Sequence, residues 1–256
     1  MTDDVLYEIQ GRIATITLNR PNQRNAVNGG LTRALGAAMD RFEGDPDVWV
    51  CVLAGSGPAF CAGADLKAIA AGAGAELSTD KGGFGGFVRY PKTKPVLAAV
   101  HGVALAGGLE LVLACDLVVA AEDAEFGFPE VTRGIIAAAG GVFRLARAIP
   151  AARARELVMT GDRVSAQEAL ALGLINRVVP APEVLTTAVA LAHRICQNAP
   201  VAVRESIAIA RVAADITEEK GWQLSAQAAA RVMLTRDAQE GPLAFAQKRA
   251  PQWMGH

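Results

Sequence analysis

The stretch from Lys94 to Val131 constrains this chain more than any other. Val96 to Val100 is an unbroken, valine-rich apolar run, the pattern of a strand buried on both faces. His101-Gly102 interrupts it. Ala106-Gly107-Gly108-Leu109-Glu110 then makes a small-residue turn leading into the apolar run Leu111 to Cys115. The spacing predicts a strand, a glycine turn and a helix that starts near Gly107. A helix start leaves backbone N–H groups unpaired and aimed at whatever lies in front of them. Glu110 falls in that first turn, and a second acid, Glu130, follows in Phe126-Gly127-Phe128-Pro129-Glu130. Two carboxylates beside an exposed backbone donor suit proton transfer next to a developing oxyanion. Read locally, the same pattern is also ordinary packing chemistry, because a first-turn glutamate complements the helix dipole.

Composition narrows the classes. The chain has 256 residues, 52% hydrophobic and 20% charged, which is enough for a large packed core. Its formal net charge of -1 and the lack of a basic run in the sequence argue against nucleic acid, since phosphate binding needs concentrated Lys and Arg. Cys51, Cys61, Cys115 and Cys196 are far apart and read as small buried hydrophobes in a reducing compartment. No Cys/His spacing suggests a metal, and His101, His193 and His256 are too scattered for a histidine triad. The acidic N-terminus lacks the pattern of a secretory leader. The charge-free stretch Pro95 to Leu109 is shorter than the ~20 residues of a membrane span. A soluble, cytoplasmic protein without membrane contact is the expectation.

Along the chain, Val5–Gln10 and Arg12–Asn19 alternate as an antiparallel hairpin around Gly11. A polar loop follows to Ala26. Leu31–Phe42 has helical spacing and ends at Gly44-Asp45-Pro46. Val48–Ala54 is a buried strand, and a short helix is expected from Leu66 to Ala71. Gly72–Gly86, with six glycines, reads as a mobile loop. Leu117–Ala121, Glu125–Gly127 and Ile175–Val179 are strand candidates. Val142–Ile149, Ala151–Thr160 and Ala166–Leu172 are helix candidates. After Pro180 no strand signal remains, and helices are expected at Val184–Cys196, Val201–Ala214, Glu218–Thr235 and Pro242–Lys248. The chain thus divides into an α/β body, 1–180, and a helical region, 181–256.

Three separated motifs share one likeness. Leu18-Asn19-Arg20-Pro21 with Asn25-Ala26, the block Ala59 to Lys67, and the block Lys94 to Glu130 together resemble the crotonase (enoyl-CoA hydratase/isomerase) superfamily. The likeness runs in order from about residue 5 to Glu240–Arg249. It implies a spiral of ββα turns with a C-terminal helical region that makes trimers, often stacked as hexamers. It also implies an acyl-CoA thioester substrate and no metal or redox cofactor, coenzyme A being part of the substrate. By position, Ala64 and Gly107 correspond to the oxyanion-hole amides, and Glu110 and Glu130 to the two acids of the hydratases. Coenzyme A is expected along Arg24, Ala26 and Val27 and along Ala62, Ala64, Asp65, Leu66 and Lys67. Phe245 and Lys248 match a pair that reaches the nucleotide end from a neighbouring subunit. The resemblance suggests Glu110 as base and Glu130 as acid, roles that the sequence does not separate.

Ala106 stands where many hydratases have the first of three glycines. Phe128 replaces a residue that is often polar, and Ile136–Ala139 replaces a stretch often holding Pro and Gly. These departures bear on the acyl group more than on the chemistry. A 2-enoyl-CoA hydratase is the first expectation. A carnitinyl-CoA-type dehydratase or an enoyl-CoA isomerase is the alternative, and a non-catalytic binding protein on the same fold is a distant third.

Overall fold

The backbone leaves one sheet and enters a second at the start of each central turn, and this alternation places the site. A computed structural model describes residues 3–256. Strands β1 (Val5–Gln10) and β2 (Ile13–Leu18) pair antiparallel, with Gly11 at φ 59° in the turn. Helix α1 (Gly29–Gly44) is started by the Asn28 side chain, which accepts from Leu31 N, and it buries Leu31, Leu35, Met39 and Phe42. Its C-terminal carbonyls are closed by Lys94, whose Nζ donates to Phe42 O (2.7 Å) and Asp45 O (2.6 Å). The chain continues through β3 (Val50–Gly55), α2 (Leu66–Ala70), β4 (Ser78–Thr79), β5 (Gly83–Phe84), β6 (Val96–Val100), β7 (Val103–Leu105) and α3 (Gly107–Val112). Then come β8 (Leu117–Ala121), β9 (Glu125–Gly127), α4 (Gly141–Ala148), α5 (Ala151–Thr160), β10 (Arg163–Ser165), α6 (Ala166–Ala171) and β11 (Arg177–Val179). Four helices close the chain: α7 (Val184–Cys196), α8 (Pro200–Val212), α9 (Glu218–Met233) and α10 (Arg236–Ala246).

The main sheet has the order β1-β2-β3-β6-β8-β11 and is parallel from β2 onward. The second sheet has the order β10-β9-β7, and an isolated bridge from Cys61 to Ala104 extends it. Each of β6 and β8 in the main sheet is therefore followed by a short strand in the second sheet, β7 or β9, and then by a helical segment. These are the expected ββα turns. Every residue of β6 is buried, in keeping with its continuous apolar run. Helix α7 lies against β3, β6 and β8 and buries Val184, Ala188 and Ala192. Helices α8 to α10 form a layer that leaves Trp222, Met233, Leu234 and Phe245 exposed. No helix among the described residues is long and apolar enough to cross a membrane.

Three expectations change. Strands β7 and β10 emerge where no strand is read from the sequence, because runs of three residues carry too little alternation to stand out. The Gly72–Gly86 segment is only partly an open loop. Its second half forms the β4–β5 hairpin, and Gly86 packs so tightly on α1 that a Cβ there would lie 2.5 Å from Thr32 O. Gly86 serves close approach and a left-handed backbone (φ 66°) together, while a Cβ on Gly72 or Gly74 would meet nothing within 4 Å. Helix α10 starts at Arg236 rather than at Pro242, which sits inside it. The Thr235 hydroxyl caps the helix by accepting from Ala238 N, and buried Asp237 accepts from Met254 N and Gly255 N.

Candidate active site

The second sheet brings the two small-residue segments together. Cys61 N donates to Val103 O and Leu105 N donates to Cys61 O (both 3.1 Å), so residues 61–64 run alongside β7 into the turn before α3. That turn is sharp. Ala106 sits at φ 51°, ψ -126°, a region that favours glycine, and it costs about 1–3 kcal/mol that the surrounding bonds must hold. Its N–H donates to Gly127 O at 2.9 Å. Glycines permit the contact that follows. A Cβ on Gly63 would lie 3.1 Å from Gly107 N, and one on Gly108 would lie 2.1 Å from Cys61 O. Gly107 is the first residue of α3, so its N–H has no acceptor within the helix. Val27 N donates to Gly63 O and Asp65 N to Val27 O, which leaves the Ala64 N–H on the opposite side of that bridge. The Phe84 ring covers Gly107, its Cζ 2.4 Å from where a Cβ would stand.

The carboxylates converge from two elements. Glu110, in α3, is 3% exposed, and Glu130, in the 3-10 turn Pro129–Arg133 after β9, is 6% exposed. Glu110 Oε1 accepts from Gly141 N at 2.9 Å, at the start of α4. A Cβ on Gly141 would meet both the Phe128 ring (2.5 Å) and Glu110 Cγ (3.0 Å), so only glycine fits between them. Burial raises the proton affinity of Glu110, while the Gly141 and Ala139 amides and the Arg144 charge oppose that rise. Glu130 is pushed up to about 7, first by burial, then by the charge of nearby Glu110, against a backbone bond and Arg133. Its Oε2 is buried with no hydrogen-bond partner in the protein. The two carboxyl groups lie close enough for the charge of one to raise the proton affinity of the other, one held by a backbone amide and the other with a free oxygen.

The residues expected along coenzyme A also gather. Ala62 N donates to Arg24 O, and the Val27–Ala64 bridge joins the two segments into one edge. Arg24, Leu66 and Lys67 are exposed, Ala26 and Ala62 half-buried, and Val27 buried. Asp65 is committed locally, since it caps α2 by accepting from Lys67 N and Ala68 N and pairs with Arg20 at 3.1 Å. Phe245 and Lys248 lie at the exposed end of α10, which packs chiefly on α9 and not beside the carboxylates.

Sequence reasoning missed two supports. Asn25 is fully buried at φ 55°, and its Nδ2 reaches Ser56 O, Ala59 O and Phe60 O, fastening the loop before α1 to the turn after β3. Gly141 is the donor to Glu110. The available signal was the Gly-Gly pair at the head of a helix, Gly140-Gly141, which repeats Gly107-Gly108.

Comparison with known proteins agrees with this geometry. The family model described as Enoyl-CoA hydratase/isomerase matches residues 8–256. A carnitinyl-CoA dehydratase of Proteus mirabilis is 40% identical over 261 residues, with both chains fully covered. The crystal structure of an enoyl-CoA hydratase from Mycobacterium tuberculosis H37Rv superposes with a TM-score of 0.96 at 44% identity, again over the whole of both chains. That of a carnitinyl-CoA hydratase from Mycobacterium avium gives a TM-score of 0.79 at 45% identity over the same coverage. With the motifs in order, the ββα turns in place and the full length matched, this chain belongs to the enoyl-CoA hydratase/isomerase family.

Proposed function

We propose that this protein is an enoyl-CoA hydratase, a hydro-lyase that adds water across the 2,3 double bond of a 2-enoyl-CoA thioester to give the 3-hydroxyacyl-CoA. The observation that carries the reading is the pair of buried, mutually repelling carboxylates, one bonded by a backbone amide and the other with a free oxygen and a proton affinity centred near neutrality. In the reaction, the thioester oxygen accepts from the amides of Ala64 and Gly107. Ionised Glu110 takes a proton from water as the water oxygen bonds to C3. Glu130 delivers its proton to C2, and the negative charge carried on the thioester oxygen returns to carbon. Each oxyanion donor is worth about 3 kcal/mol in sites of this kind. Backbone and carboxylates carry every step, with coenzyme A held along Arg24–Val27 and Ala62–Lys67.

A carnitinyl-CoA-type dehydratase is the second reading, favoured by the full-length relatives with that name. A carnitinyl group carries a quaternary ammonium, which aromatic faces attract, and Phe84 and Phe128 stand at the site. An isomerase uses a single acid, and the retained pair speaks against it. Turnover of crotonyl-CoA beside crotonobetainyl-CoA and a 3-enoyl-CoA separates the three. Failure of all of them, with acyl-CoA still bound, leaves a binding protein.

We further propose a cytoplasmic trimer, or two stacked trimers. Residues 181–256 supply the assembling surface, and the exposed Trp222, Met233, Leu234 and Phe245 of the helical layer become covered there. Lys248 then reaches the nucleotide end of a neighbour's coenzyme A.

A further inference from the structure

A cavity of about 530 Å³ opens at the far end of α3 from the oxyanion turn, between the segment around Val88–Lys92, the Leu113–Asp116 turn, α4 and the end of α8. The sequence shows no basic run, yet folding gathers Arg89, Lys92, Arg144, Arg147 and Arg211 on its wall with one acid, Asp116. Asp116 is taken by Arg211 through two bonds, Nε to Oδ1 at 2.8 Å and Nη2 to Oδ2 at 2.7 Å. Arg147 pairs with Asp215. Among the described residues Arg89, Lys92 and Arg144 form no ion pair. Arg144 donates through Nη2 to Val88 O at 2.7 Å, while its Nη1 is buried without an acceptor. Lys92 donates to Phe87 O at 2.9 Å.

Arg89, Lys92 and Arg144 thus bring three positive charges to one concavity with no carboxylate bonded to any of them. Burial, with Arg144 and Arg211 adding to it, pushes the Lys92 ammonium down to about 8. The C-terminal end of α3 also faces the cavity and disfavours an anion. The effect of one helix end is smaller than the pull of three positive charges. We propose that this cavity is a second ligand site, separate from the catalytic one, that binds the phosphate or diphosphate group of a small molecule. A phosphate ester carries close to two negative charges near neutrality, and its oxygens accept from guanidinium forks and ammonium alike.

The test is isothermal titration of pyrophosphate into the purified, assembled protein at constant ionic strength. One saturable site per chain is expected. Arg89→Gln and Lys92→Gln should each weaken it by about tenfold or more, the usual worth of one charge-assisted bond. Arg89 is exposed, so its replacement leaves the core intact. Arg33→Gln, which removes an exposed cation paired with Glu76, should bind as the unaltered protein does. Absence of saturable heat would overturn the proposal. So would equal weakening in all three variants, which marks diffuse charge, or unchanged binding in both Arg89→Gln and Lys92→Gln. Loss of the saturable site in Lys67→Gln would also overturn it, because Lys67 lies outside this cavity and the ion would then occupy the coenzyme A groove.

Discussion

Gly108→Ala tests the close approach on which the proposed oxyanion site depends. The new methyl would stand 2.1 Å from Cys61 O and 2.8 Å from Cys61 C, both backbone atoms that have no rotamer to yield. Reaching an ordinary carbon–oxygen contact requires α3 and the 61–64 segment to part by about 1 Å. That parting separates the Gly107 amide from the Ala64 amide and moves Glu110, two residues further along the same helix. A misplacement of about 1 Å costs on the order of 10²-fold in rate. Overpacking itself costs about 1–3 kcal/mol, and the melting temperature should fall by roughly 2–4 °C per kcal/mol in a chain of this size. Hydration of crotonyl-CoA, followed by the loss of the enoyl thioester's ultraviolet absorbance, should show kcat falling far more than binding of an unreactive acyl-CoA weakens. Gly44→Ala is the control, since a Cβ there meets nothing within 4 Å. If Gly108→Ala keeps both wild-type kcat and wild-type melting temperature, the argument from close approach is wrong.

Other predictions follow from the same geometry. Glu130→Gln should slow hydration by roughly 10²–10⁴-fold and leave acyl-CoA affinity nearly unchanged. With Glu130 acting in its protonated form, kcat/KM of the unaltered enzyme should decline as pH rises through about 7. The folded chain holds that proton more tightly than the unfolded one, so stability is lost between the ordinary carboxylate range and about pH 7. Glu130→Gln should therefore melt higher than the wild type at pH 8 and not at pH 4, and scans at the two values check this. Lys248→Ala should raise KM for acyl-CoA more than it lowers kcat, because the nucleotide end makes the same contact in ground and transition states. An unchanged KM would make Lys248 a solvated surface residue only. Light scattering at micromolar concentration should report a trimer or hexamer, and a monomer would refute the assembly.

Much of this protein was already determined by its sequence. The valine-rich run at β6, the Gly107-Gly108 helix start, the hairpin around Gly11 and the helical tail are local patterns, and each element formed close to where its pattern lies except α10, which starts six residues earlier. The two acids could be picked out in the sequence, but only the family resemblance gave them a role, because a first-turn glutamate is otherwise ordinary packing chemistry. Tertiary structure decided the rest. Cys61 and Gly108 touch across 47 residues, so the clash that forbids a side chain at Gly108 has no local trace. The difference between Glu110 and Glu130 arises from what each meets after folding, an amide of Gly141 in one case and no partner for Oε2 in the other. Arg89, Lys92, Arg144, Arg147 and Arg211 form no run in the chain and become a cluster only when three separate segments meet. Backbone preference and periodicity act over a few residues and are written into the sequence. Desolvation, charge coupling and close approach depend on distance in space, and only the fold sets that distance.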